Sequence, residues 1–64
     1  MSGQYRQGYE RADHVIASKP ANIELSGWVW HPDNKPLPSD SADFRQGYAQ
    51  RAKEVGAVCP LVVK

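Results

Sequence analysis

The sequence has only one cysteine, Cys59, among its 64 residues. A lone cysteine excludes an internal disulfide framework and fits a reducing compartment, for which the bacterial cytoplasm is the expectation. Long apolar runs are also missing, so neither a signal peptide nor a membrane helix is expected. Nor is there an excess of charge of one sign. Eight basic side chains stand against seven acidic ones, for a formal charge of +1. That balance disfavours a chain held to nucleic acid by a bulk electrostatic field, while leaving room for a local patch. From Phe44 onward Arg45, Arg51, Lys53 and Lys64 face Glu54 alone, although a solvated helix face accounts for those charges equally well.

Motifs that carry chemistry are scarce as well. No glycine-rich loop follows a strand-like segment to cradle phosphate. His14, His31 and Cys59 lack the spacing of metal ligands, so no metal and no cofactor are expected. Cys59 lies in an apolar run beside Pro60 and reads as a small buried hydrophobe rather than a nucleophile. No catalytic residue is assigned, and the chain is read as a non-enzyme. A single domain spanning 1–64 is expected, because a chain this short buries only about 60% of the surface it exposes when unfolded.

What the sequence does contain is a phrase said twice. Tyr5-Arg6-Gln7-Gly8-Tyr9 returns as Phe44-Arg45-Gln46-Gly47-Tyr48. Placed on helices, Tyr5, Gly8, Tyr9, Ala12 and Ile16 share one face, as do Phe44, Gly47, Tyr48, Ala52 and Val55. A glycine inside a helix costs about 1 kcal/mol relative to alanine. The same cost accepted twice predicts that two backbones cross closely at Gly8 and Gly47, with Tyr5, Tyr9, Phe44 and Tyr48 packed around the crossing.

In chain order, a first helix is predicted over about 3–17, with Ser2 as a candidate N-cap and Pro20 beyond its end. Residues 23–30 change period: Ile23, Leu25 and Val29 alternate with Glu24, Ser26, Trp28 and Trp30, which predicts a strand or part of a hairpin. Gly27 sits where a bulge would exchange its two faces. Trp28 and Trp30 either lid the helix pair or present a partner-binding surface. Pro32, Pro36 and Pro38 make 31–39 a turn and stiff connector. A second helix follows over about 41–55, capped by Ser39, Asp40 or Ser41 and stopped at Gly56. Val58 to Val63 is predicted as a C-terminal edge strand, paired within the chain or between two copies in a homodimer. The fold class expected is therefore α+β.

The repeated phrase resembles the ribosome modulation factor family, very short bacterial proteins built as two helices around a connector. Gly8-Tyr9 with Ala12 is similar to its first-helix motif, and Phe44-Arg45-Gln46-Gly47-Tyr48 to its second. The family's Pro-Tyr turn between the helices is absent; Trp30-His31-Pro32 is the nearest stretch, and Cys59-Pro60 comes after the second helix. The resemblance implies docking onto a large bacterial assembly such as the ribosome. Relatives in phages and mobile elements imply the alternative, an inhibitor that blocks a host protein. The candidate partner-binding residues are Arg6, Arg45, Arg51 and Lys53 for a ribonucleoprotein, and Trp28 and Trp30 for a protein. No membrane partner is expected.

Overall fold

The computed structural model describes residues 3–57, which form three helices: α1 (Gly3–Ala17), α2 (Leu25–Val29) and α3 (Ala42–Glu54). Among the described residues there is no strand, so the expected α+β class gives way to an all-helical fold. The predicted C-terminal strand and any pairing through it lie outside the described residues, as does Ser2.

The two long helices follow from their sequences. α3 begins where the Ser41 hydroxyl accepts the Phe44 N–H at 3.2 Å, so Ser41 serves as the cap among the three candidates. It ends in a Schellman turn: Ala57 N–H donates to the Ala52 carbonyl and Gly56 N–H to that of Lys53. Gly56 adopts φ +79° there, the left-handed conformation in which glycine carries no Cβ penalty. Ala52 and Ala57, the apolar pair of that motif, are both buried.

The helices meet where the repeat predicts. A Cβ on Gly8 would run into the Phe44 carbonyl oxygen and lie 2.8 Å from its carbon; one on Gly47 would run into the Tyr5 carbonyl and lie 3.0 Å from the Tyr9 nitrogen. Each glycine therefore sits against the carbonyl three residues before the other glycine. Such approaches suit Cα–H···O contacts, worth about 0.5–1 kcal/mol each. Further along both helices, Asp13 bonds Arg51 at 2.9 Å. That pair is reachable only if α1 and α3 run in the same direction. A 39-residue shift thus relates the helices by an approximate internal two-fold axis.

Helices running in the same direction need a long return connection, and α2 sits within it. Residues 23–30 overturn the strand expectation for a physical reason: Leu25, Trp28 and Val29 also carry the three-and-four spacing of a helix, and so short a run fits both periods. Tertiary partners choose between them. The Trp28 indole N–H donates to the Val15 carbonyl at 2.8 Å, serving the open C-terminal end of α1. The Tyr48 hydroxyl donates to the Val29 carbonyl at 2.6 Å and does the same for α2. Trp30 Nε1 donates to the Ala57 carbonyl at 2.6 Å, and its ring meets Tyr48 edge-on at 5.4 Å. The core is accordingly small: Ala12, Val15, Val29, Tyr48, Ala52 and Ala57, flanked by Trp28 and Trp30.

Gly27 makes no bulge. It lies exposed in α2, with nothing within 4 Å of a would-be Cβ. Gly27→Ala is therefore expected to raise stability by about 0.4–1 kcal/mol, read as a higher urea midpoint with unchanged slope. A lower midpoint would show that this segment is not helical in solution.

Candidate interaction surface

The connector between α2 and α3 is a series of turns held to the tryptophan layer. The His31 carbonyl accepts from the N–H groups of Asn34 and Lys35 at 2.8 and 2.9 Å. Asn34 Nδ2 donates to the Trp28 carbonyl at 2.9 Å, and the Asp40 carboxylate accepts the Leu37 N–H at 2.8 Å. The predicted Pro-rich link is thus fixed to α2 at one end and closed on itself at the other.

α3 sorts its polar side chains onto two sides. Toward α1, Arg51 is only 28% exposed and donates to Asp13 at 2.9 Å and to Glu54 at 3.2 Å. Its guanidinium lies 5.7 Å from the centre of the Tyr9 ring, a cation–π distance. The Tyr9 hydroxyl donates to Glu54, and Gln50 Nε2 approaches the other Glu54 oxygen at 3.4 Å. The Tyr9 bond, before all else, holds the Glu54 carboxyl below its ordinary value and raises the Tyr9 phenol. The bonds to Glu54 and Asp13 raise Arg51 further still. A lowered carboxyl supports folding above the ordinary carboxylate range and loses that support as pH falls through its folded value. The clasp should therefore loosen in acid.

The exposed side of α3 presents Ala42, Arg45, Gln46, Ala49 and Lys53, with Tyr5 of α1 bordering Gln46, Ala49 and Lys53. These α3 positions fall within one face of the helix, and none is acidic. Arg45 and Lys53 have no ion-pair partner among the described residues. Eight residues apart, they stand about 12 Å from one another along the axis. Ala49 between them leaves the helix surface low. On α1 the repeat differs: Arg6, the counterpart of Arg45, pairs with Glu10 at 3.0 Å, and Glu10 stands where α3 has Ala49.

The candidate residues of the sequence are thus distributed rather than gathered. Arg45 and Lys53 share one face, Arg6 lies on α1 and Arg51 in the seam. Trp28 and Trp30 are part-buried, with both indole N–H groups turned to backbone carbonyls. At the crossing Gly8 meets the Phe44 backbone and Gly47 the backbones of Tyr5 and Tyr9, with Tyr48 fully buried and Tyr9 only partly so. Asp13 and Glu54 went unassigned from the sequence. Gln50 and Arg51, four and three residues before Glu54, were its legible signal; nothing local marks Asp13. Among the described residues no group of three His, Cys, Asp or Glu could hold a metal ion, and no helix is long and apolar enough to cross a membrane.

Comparison with protein families, curated proteins and solved structures finds no match to this chain.

Proposed function

We propose that the chain is a small non-catalytic regulatory protein of the bacterial cytoplasm that docks onto a larger macromolecular target through the outer face of α3. The resemblance of its repeat to ribosome modulation factor makes the ribosome the first target to test. The observation that carries this reading is the charge sorting on α3. Glu54 and Arg51 are consumed in the seam, and Arg45 and Lys53 have no ion-pair partner among the described residues, on a low face that Asp43, exposed one turn before Gln46, borders. Two spaced cations with Gln46 between them suit a phosphate backbone: the cations meet phosphates, and the amide offers a donor and an acceptor. The alternative, an inhibitor of a host protein anchored on Trp28 or Trp30, draws less support, because both indoles already serve the helix ends.

Co-sedimentation with purified bacterial ribosomes tests the reading. Two neutralised phosphates predict that binding weakens by about tenfold between roughly 50 and 200 mM salt. Replacing Arg45 or Lys53 with alanine should flatten that salt dependence by about one unit of slope each, and the Arg45→Glu, Lys53→Glu double variant should abolish binding without changing the helical signal. Binding that survives both the double variant and high salt would sink the α3 placement. A dominant host protein retained at high salt, and lost on changing Trp28 or Trp30, would favour the inhibitor.

A further inference from the structure

The internal two-fold gives the seam between α1 and α3 two equivalent sides. On one side Ala12, Tyr48 and Ala52 form a floor on which Val29 of α2 packs, all four fully buried. Under the 39-residue shift their counterparts are Arg51, Tyr9 and Asp13. Among the described residues no element covers that second side. An open groove of about 680 Å³ remains there, lined by these three residues with Tyr5, Arg6 and Glu10.

We propose that this groove is a docking site for a helical segment of a partner protein carrying an aliphatic and a basic side chain one turn apart. The first requirement comes from α2, which occupies the equivalent side: its aliphatic Val29 packs in one buried cluster with Tyr48, and half-buried Tyr5 and Tyr9 offer rings for a similar contact. The second comes from charge. In the lining Arg6 and Arg51 are matched by Glu10 and Asp13, and Glu54, bonded to Arg51 and Tyr9, adds one negative charge beside it. Glu10 and Asp13 are 62% and 60% exposed at their side chains, and each is engaged through a single carboxylate oxygen. Three residues apart on α1, they stand on one rim. A lysine or arginine laid across the tyrosines buries its methylenes on the rings and brings its head to that rim. α2 bears no such residue, and its side of the seam has Ala52 where the groove has Asp13. Neither Arg45 nor Lys53 lines the groove, so this site stands or falls apart from the α3 outer face.

The test is an NMR titration of the isotope-labelled full chain with an alanine-based helical peptide bearing leucine and arginine four residues apart. Saturable shifts are expected at the Tyr5 and Tyr9 rings and along α1 near Glu10 and Asp13. A peptide with glutamate in place of arginine should bind about tenfold more weakly, since two attractions become two repulsions. Glu10→Gln, on the exposed rim and away from the core, should weaken the arginine peptide by a few-fold and leave the helical signal intact, while Arg45→Glu with Lys53→Glu should leave peptide binding unchanged. Equal binding of the two peptides, shifts centred away from the tyrosines, or no binding of either would overturn the proposal.

Discussion

Gly8→Ala and Gly47→Ala are each expected to destabilise the protein by about 3 kcal/mol or more, the upper range for overpacking. In an exposed helix the same change gains about 1 kcal/mol, so the sign itself is diagnostic. The added methyl meets a backbone carbonyl of the facing helix, and a backbone cannot rotate aside as a side chain does. The helices must separate, which lengthens the glycine-to-carbonyl contacts on both sides of the crossing together. The double variant should therefore lose less than the sum of the two single losses, because the first methyl already forces the separation. Urea unfolding followed by helical circular dichroism checks this, with Gly27→Ala as the control of opposite sign. Wild-type midpoints for either single variant would mean that the crossing is looser in solution than the structure describes.

The second large effect belongs to Tyr48. Its ring is fully buried among Ala12, Ala52, Val29 and Trp30, and its hydroxyl serves the Val29 carbonyl at 2.6 Å. Tyr48→Ala is expected to cost about 3–5 kcal/mol, the range for removing a buried aromatic ring. In a chain of this size such a loss leaves little folded population. Tyr48→Phe keeps the ring and isolates the hydrogen bond. It leaves the carbonyl of buried Val29 without that donor, for a cost of about 1–3 kcal/mol. Burial pushes the Tyr48 phenol from its ordinary value of 10.0 up to about 12. A raised phenol means that the folded state favours the neutral form. Its contribution is complete below the unfolded value and is lost as pH rises through the folded one. The stability gap between wild type and Tyr48→Phe should accordingly narrow as pH climbs from 10 toward 12. A gap that stays constant across that window would show that the hydroxyl does not titrate with folding.

Tyr48 and Tyr9 hold the same place in the repeated phrase, yet one is sealed in the core and the other caps a polar clasp. The repeat made the crossing legible, because a glycine in each helix at the same register has a local cost and therefore a readable motive. It could not say which copy would be covered. That depends on α2, whose short segment fits helix and strand periods alike, and whose conformation is chosen by the carbonyls of Val15 and Val29 finding donors in Trp28 and Tyr48. Those bonds span 13 and 19 residues, and no local pattern announces them.

By itself, then, the sequence determined the features that rest on neighbours in the chain. These are the span of α1, the start of α3 among the cap candidates Ser39, Asp40 and Ser41 and its stop at Gly56, the turns through Pro32 to Pro38, and the close approach at Gly8 and Gly47. Only the tertiary structure decided the rest: the parallel sense of the long helices, the helical state of 25–29, the inward turn of both indoles, and the division of α3 into a clasped side and a free cationic one. Caps, turns and helix faces are settled within a few residues, where each preference is written locally. Which side of a two-sided seam is filled, and which arginine is consumed there, depends on partners dozens of residues away, and those preferences exist only once the chain has folded.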